Sequence, residues 1–460
     1  MACGCWTGWW PTISRAEDRL PLAARFGAAP GGFSARAGLG LRPGFCPLGQ
    51  TIALDLAGGH EAAGARAWAA LTEGGTALEI DARGMGAEQA VALATGAALR
   101  AWGPRNPPRG SLHVLTDAPE EAALLWHQAM PGIAGNLFTR DLVVEPANRL
   151  TPAAFVERLR ALRPLGLKVS VRGPARLARE GFGALSAVGR AAASGPYLAV
   201  LEWPGEGRPI AFVGKGLCFD TGGISIKPAR GMEAMRADMA GAAACAGAML
   251  ALALARAPCA AVAVLAIAEN STGADSYRPG DVLRSLSGRT IEVVDTDAEG
   301  RLVLADALHH AIMAHKPRAV VDAATLTGSI VTALGHHHAG LFGNDAALRD
   351  AALAAGLAQG EPLWPMPIGK RHREDLRSNI ADILQCAPAG QGRQPDACHA
   401  AAFLREFVGD TPWAHLDIAG MDLAEAGNPL AAKGMPTGFG ARLLARLAMT
   451  PGAGRPIPAR

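Results

Sequence analysis

Short apolar runs alternate along most of this chain with longer stretches of helical length. Leu198 to Glu202, Ile210 to Val213, Ala261 to Ile267 and Ala319 to Asp322 have the length and continuity of strands buried on both faces. Pro152 to Leu162, Met239 to Ala255 and Val303 to Ala314 read as helices. This alternation predicts an α/β fold whose mostly parallel central sheet is covered by helices on both faces. Upstream, Thr51 to Leu56, Ala77 to Ile80 and Leu112 to Leu115 are expected strands and Gly84 to Trp102 an expected helix. The run Gly103-Pro104-Arg105-Asn106-Pro107-Pro108 breaks that pattern as a loop. A chain of 460 residues exceeds one ordinary core, so two domains are expected: a small N-terminal α/β domain over 1–138 and a larger one over 139–460.

Composition narrows the class without identifying a function. Hydrophobic residues make up 50% and charged residues 18%, which is globular rather than disordered. A formal charge of +3 over this length gives no reason to invoke nucleic acid or an anionic membrane surface. The richest apolar segment, Ala240 to Ala257, is mostly alanine and glycine, so it reads as a buried helix packed through small side chains rather than a membrane span. Met1 to Trp10 lack a basic-then-apolar secretory pattern, and a cytoplasmic location is expected. Cys3, Cys5, Cys46, Cys218, Cys245, Cys259, Cys386 and Cys398 are scattered as free thiols would be.

Two charged segments stand out. Val294-Asp295-Thr296-Asp297-Ala298-Glu299-Gly300-Arg301-Leu302 sets two carboxylates two residues apart and a guanidinium two further on. On extended backbone those side chains would point the same way, and together they would hold divalent metal beside an anion. Taken alone, the segment reads rather as a solvated charged loop, since charge clusters usually sit in water. The second segment, Val213 to Pro228, sets Lys215, Asp220 and Lys227 among glycines and apolar neighbours, with Asp238 following. Apolar surroundings imply burial, and buried charges must be paired or bind metal. Asp220, Asp238, Asp297 and Glu299 supply four negative charges, which two divalent cations about 3.5–4 Å apart would balance. Oxygen-rich ligation suits zinc, manganese or magnesium. Gly214-Lys215-Gly216 is not a phosphate loop, because Phe219 takes the sixth position and no Gly-Lys-Ser/Thr ending follows.

Both segments together resemble the leucyl aminopeptidase (cytosol aminopeptidase) family. Further matches are Arg140-Asp141-Leu142, Glu145-Pro146-Ala147-Asn148, Leu150-Thr151-Pro152, Glu269-Asn270, Arg278-Pro279-Gly280-Asp281-Val282, Ala323-Ala324-Thr325-Leu326-Thr327-Gly328 and Trp413-Ala414-His415-Leu416-Asp417-Ile418-Ala419-Gly420. They run in order from about residue 140 to about residue 445. The resemblance implies removal of one N-terminal amino acid, leucine-like by preference, from peptides with a free amine. It implies one ion on Asp220, Asp297 and Glu299, with the Asp297 carbonyl as a further ligand. A second ion falls to Lys215, Asp220, Asp238 and Glu299. Lys215 would be neutral, with a strongly lowered pKa. Lys227 would stay charged and stabilise the oxyanion. Arg301 would hold a bicarbonate that serves as general base. Metal binding would bring the attacking water from ~15.7 towards ~7. Met235, Thr325, Leu326 and Gly328 would surround the first side-chain pocket. A homohexamer is also implied. A non-catalytic binding or regulatory homologue, and a dipeptidase acting on cysteinyl-glycine-type amides, are the alternatives.

Other polar residues carry less. His336-His337-His338 reads as a solvated loop, His415 and Asp417 as structural residues sharing one strand face, and Cys398-His399 as a pair too close in sequence to face each other. Asp306 and Asp322 are candidates for supporting the site or positioning a helix. Three departures from the family pattern stand out: Asp295 where asparagine is usual, Thr221 where serine is usual, and Gly434-Met435-Pro436-Thr437-Gly438, a pocket segment by resemblance that differs by a residue.

Overall fold

The computed structural model describes residues 22–27, 35–37, 51–52, 54–71, 77–104, 110–387 and 396–450. The cysteine- and tryptophan-rich opening, Cys46 and most of the loop expected at 103–108 lie outside these residues. Contacts divide the chain into two units, one of Met1–Leu137 with Ala424–Thr437, the other of Phe138–Leu423 with Gly438–Arg460.

The first unit contains β1 (Leu22–Gly27), β2 (Ala35–Ala37), β3 (Thr51–Ile52), α1 (His60–Leu71), β4 (Ala77–Asp81), α2 (Ala87–Ala101), β5 (Gly110–Leu115) and most of α3 (Pro119–Val143). Its five strands form one sheet in the order β1-β5-β4-β2-β3. The strand expected from Thr51 ends at Ile52, and α1 follows from His60. That helix is alanine-rich with little polar contrast, which explains why periodicity did not mark it.

The second unit runs α4 (Pro152–Arg160), β6 (Lys168–Arg172), α5 (Pro174–Glu180), α6 (Gly183–Gly189), β7 (Tyr197–Trp203), β8 (Glu206–Asp220), α7 (Ala240–Leu254), β9 (Cys259–Asn270), β10 (Val282–Arg284), β11 (Thr290–Glu292) and α8 (Glu299–His315). It continues with β12 (Ala319–Ala324), α9 (Gly328–Leu334), β13 (Ala339–Gly343), α10 (Ala346–Ala358), β14 (Leu363–Pro365), α11 (Lys370–Glu374), β15 (Ile383–Leu384), α12 (Asp396–Arg405), β16 (Trp413–Asp417) and α13 (Ala441–Met449). Eight strands form the large sheet, in the order β14-β13-β16-β12-β8-β9-β7-β6. The central four, β16, β12, β8 and β9, are mutually parallel, while β13, β7 and β6 join antiparallel at the flanks. All four expected apolar runs are strands of this sheet. Ahead of Asp297 lies the short strand β11, which ends at Glu292 and belongs to a separate three-stranded sheet with β10 and β15.

Helix α7 is buried from Ala240 to Ala253, as its small residues predict. A Cβ on Gly241 would lie 2.0 Å from the carbonyl oxygen of Ala323, and one on Gly214 would lie 2.4 Å from Ala242 Cα. Glycine at these two points lets the helix backbone rest directly on β8 and β12. Within Met232–Leu254 an 18-residue window is apolar enough to cross a membrane by composition, but 94% of that window is buried inside the protein.

Helix α8 is held from the other side. Asp306 is fully buried and accepts hydrogen bonds from the backbone N–H of Leu185 (2.9 Å) and Leu286 (2.7 Å), tying α6 and the β10–β11 turn to the helix. Burial pushes this carboxyl up to about 7, and the backbone donors only partly oppose it.

Two predictions follow from these contacts. Gly241→Val forces α7 off the sheet and should cost about 1–3 kcal/mol, read as a lowered denaturant midpoint; an unchanged midpoint would show that the close approach is dispensable. Asp306 has a folded pKa of about 7 against an ordinary 3.8, so the folded state binds its proton more tightly. Its stabilising contribution is therefore complete below the unfolded value and declines as pH rises towards about 7. The stability difference between the native protein and Asp306→Asn should shrink over that window and level off above it. A pH-independent difference would refute the assignment.

Candidate metal centre

Four parallel strands present polar groups at their carboxyl ends: Asn270 closes β9, Asp220 closes β8, Thr325 follows β12 and Asp417 closes β16. Open α/β sheets form their sites along such an edge. Strand β8 carries both Lys215 and Asp220, five residues apart, which regular alternation would send to opposite faces. A register irregularity intervenes: Leu217 pairs with Ala268 but Asp220 with Asn270, three residues on one strand against two on the other. The extra residue reverses the alternation and brings Asp220 to the side of Lys215.

Asp297 and Glu299 converge for a different reason from the one their spacing suggested. They are not on extended backbone. Thr296–Ala298 form a 3-10 turn, and Glu299 is the first residue of α8. Asp295 accepts a hydrogen bond from the Asp297 N–H (3.0 Å) and caps this turn. The carboxylate at this unusual position therefore rebuilds the loop's hydrogen bonding. Gln385, fully buried, clamps the same loop: its Oε1 accepts from the N–H of Val294 (3.1 Å) and Asp295 (3.1 Å), and its Nε2 donates to the Ala298 carbonyl (2.9 Å).

Carboxylate oxygens of Asp220, Asp297 and Glu299 lie within 4.8 Å of one another. Two ammonium groups thread the cluster. Lys215 Nζ, only 3% exposed, reaches Asp238 Oδ1 (2.8 Å), Glu299 Oε1 (3.0 Å) and the Thr325 carbonyl (2.8 Å). Lys227 Nζ bridges Asp220 Oδ2 (2.8 Å) and Asp297 Oδ1. Asn270 Nδ2 and the Gly222 N–H donate to Asp220 Oδ1 at 2.8 and 2.9 Å. Gly300 makes room for Lys215, since a Cβ there would lie 2.6 Å from its Cε. All five expected metal ligands and Lys227 are therefore gathered.

The electrostatics are those of a crowded anionic pocket. Burial raises Asp238 to about 8, the charges of Asp220 and Glu299 add to the effect, and Lys215 opposes it. Burial likewise pushes Asp297 up to about 6 against its contact with Lys227. Burial opposes the charge on Lys215, but Asp238, Glu299 and Asp220 outweigh it and hold the ammonium well above the usual lysine range. With protein charges alone, the direction is thus opposite to the lowered pKa expected for a ligating lysine; only divalent charge nearby would reverse it. Lys227 is also raised, because Asp220 and Glu299 outweigh its burial.

Asp238 Oδ2 and Glu299 Oε2 are buried without a hydrogen-bond partner. Such atoms are costly unless something binds them, and hard oxygen donors suit divalent cations. On this ground the residues fit a metal.

The expected pocket residues divide. Thr325 donates its hydroxyl to Asp238 Oδ1 (2.6 Å) and gives its carbonyl to Lys215, so it braces the cluster. Leu326 lies beside Gly300, where an added Cβ would come within 2.9 Å of Leu326 Cδ1. Met235 is half-buried in the 3-10 turn Met232–Ala237, and its carbonyl accepts the Asp238 N–H. Gly328 opens α9 with nothing within 4 Å of where its Cβ would be.

Arg301, also 3% exposed, pairs through Nη2 with Asp396 Oδ1 at 2.9 Å and donates from Nη1 to the Gln385 carbonyl at 3.3 Å. Asn270, Gln385 and Asp396 were given no role from sequence. Only Asn270, inside a matched motif, carried any signal. The other two are 84 and 95 residues from Arg301, which they contact, and no local pattern reveals that.

Polar residues set aside in the sequence behave as expected. Asp322 and His415 are fully buried, with Asp322 Oδ1 2.6 Å from His415 Nδ1, and Asp322 Oδ2 accepts from Trp413 Nε1 at 2.6 Å. Asp417 accepts from the Leu326 N–H (3.1 Å) and the Thr327 hydroxyl (2.7 Å), fixing the turn that carries Thr325. His399 turns to Asp375 (3.0 Å), and His336 contacts the Gly420 carbonyl (2.7 Å).

The chain is 48% identical over 316 residues to a probable cytosol aminopeptidase of Brucella melitensis biotype 1, covering 68% of this chain and 64% of that protein. The corresponding protein of Caulobacter vibrioides is 42% identical over 402 residues, 84% of this chain and 80% of that one. The chain thus spans less than two thirds of the length of the Brucella relative. Among solved structures, the bottromycin maturation enzyme BotP in complex with Mn superposes with a TM-score of 0.81 at 34% identity, over 93% of this chain and 98% of that one. A second BotP structure gives 0.80 at 33% identity over the same shares. Residues 137–445 match the catalytic domain of the cytosol aminopeptidase family, and the chain belongs to that family.

Proposed function

We propose that this protein is a metal-dependent aminopeptidase that releases the N-terminal residue of peptides, with leucine-like side chains preferred. The gathering of Asp220, Asp238, Asp297, Glu299, Lys215 and Lys227 at the carboxyl edge of the parallel strands carries this reading. Asp220, Asp297 and Glu299 would hold one ion, and Lys215, Asp220, Asp238 and Glu299 the other, manganese, zinc or magnesium in each case. When bound, such ions lower the pKa of water towards ~7 and polarise a carbonyl.

The chain's own groups supply the rest. Lys227 keeps its charge and is the least buried of the two ammonium groups, with 21% of its side chain exposed. It is suited to donate to an oxyanion forming on the substrate carbonyl. Thr325 and Asn270 fix Asp238 and Asp220, so the carboxylates need no rearrangement as charge develops. Met235 and Leu326 offer apolar surface for a leucine-like side chain, which discriminates only modestly among relatives. Bicarbonate fits less well. Nη2 of Arg301 already bears Asp396.

A cytosolic location is supported by the likeness to the probable cytosol aminopeptidases of Brucella and Caulobacter. The homohexamer rests on family resemblance, and light scattering of the purified protein measures it directly.

With manganese or zinc, the purified protein should release the chromophore from a leucine anilide and ignore the N-acetylated analogue. Equal cleavage of both would rule out recognition of a free amine. Asp297→Ala and Glu299→Ala should each lose bound metal by elemental analysis together with activity. Lys227→Ala should retain metal while its rate drops by about 10²–10³-fold. Full rate in that variant would remove Lys227 from the chemistry.

A further inference from the structure

We infer that Asp396 is the resident anion of Arg301, and that it occupies the guanidinium at which family resemblance places a dissolved bicarbonate. Arg301 lies in the first turn of α8, two residues beyond Glu299, with 3% of its side chain exposed. A buried cation needs a compensating anion. Asp396 Oδ1, 2.9 Å from Nη2, is the carboxylate that meets this charge directly. Asp396 is the first residue of the ten-residue helix α12, where amide dipoles favour a negative charge. With 28% of its side chain exposed, it stands on the solvent side of the guanidinium.

Charge and donor geometry together favour this occupancy over that of a dissolved anion. An oxyanion bound by two parallel N–H groups uses either the Nη1/Nη2 edge or the Nε/Nη2 edge. Nη2 contributes one N–H to each edge, and Asp396 Oδ1 takes one of them at 2.9 Å. Nη1 faces the Gln385 carbonyl at 3.3 Å, and Nε is buried without a partner. A second anion would have to share Nη2 with a carboxylate, against like-charge repulsion in a buried site, or displace it. Displacement must compete with a group tethered to the same chain, whose effective concentration is of millimolar order or higher. The anion beside the carboxylate cluster is therefore internal.

The inference rests on the aminopeptidase reading for its rate measurement but not for its binding measurement. The manganese-loaded full chain is assayed on leucine anilide in carbon-dioxide-free buffer, with and without added bicarbonate. The native protein should change by less than about twofold, whereas Asp396→Ala and Asp396→Asn should lose about tenfold or more and recover most of it with bicarbonate. In parallel, line broadening of ¹³C-bicarbonate should be absent with the native protein. It should be saturable with Asp396→Ala and be lost again when Arg301→Leu is added. Asp396→Asn keeps side-chain shape at the start of α12, and melting curves identify a variant that fails to fold. A native enzyme that requires bicarbonate, saturable broadening by the native protein, or full bicarbonate-independent rate in both Asp396 variants would each overturn the inference. Absence of anilide cleavage in every sample would instead refute the aminopeptidase reading, leaving the broadening experiment to decide the role of Asp396.

Discussion

A buried ammonium group cannot stand alone, and the candidate site is arranged around that constraint. Lys215 projects from the middle of a parallel sheet into a space almost closed to solvent. Three of its neighbours answer its charge or its donors: Asp238 from the turn before α7, Glu299 from the start of α8 and the Thr325 carbonyl beyond β12. Each comes from a different crossover connection. The ammonium therefore ties together segments that local structure alone would leave independent. Removing any one acceptor would leave desolvated charge behind, which costs more than the pair contributes.

The same site is over-supplied with negative charge. Four carboxylates face two ammonium groups, and the cost appears as raised pKa values at Asp238 and Asp297 and as the orphaned oxygens of Asp238 and Glu299. A fold selected for stability alone would not bury such a set. Divalent cations would resolve the excess, and the strain at the cluster would then be the physical counterpart of its chemistry.

Support for this cluster comes from groups that never touch it. Asp417 holds the turn carrying Thr325, and Asp322 locks His415 and Trp413 on the adjacent strand. Burial opposes a proton on His415, yet Asp322 outweighs it and keeps the imidazole above its ordinary value. Gln385 plays the equivalent part for the loop of Asp297, and α7 rests on the sheet through glycine contacts too close for any side chain. Rigid strands and satisfied hydrogen bonds thereby hold the reactive groups in place.

Much of this was determined by sequence alone. Continuous apolar runs are diagnostic of strands buried on both faces, so the central strands were legible, as was the small-residue character of α7. The motif residues were legible because their types and order leave few alternatives. What only the tertiary structure decided was how they meet. An extra residue in β8 turns Asp220 towards Lys215, a 3-10 turn rather than extended backbone brings Asp297 to Glu299, and Asp396 reaches Arg301 from 95 residues away. The alanine-rich α1 showed no amphipathic contrast to read, and Ala424–Thr437 groups with the N-terminal unit without any local mark. Periodicity reports which face of an element is buried. Bulges, turns and long-range ion pairs arise from packing between elements, and no window of sequence contains both partners.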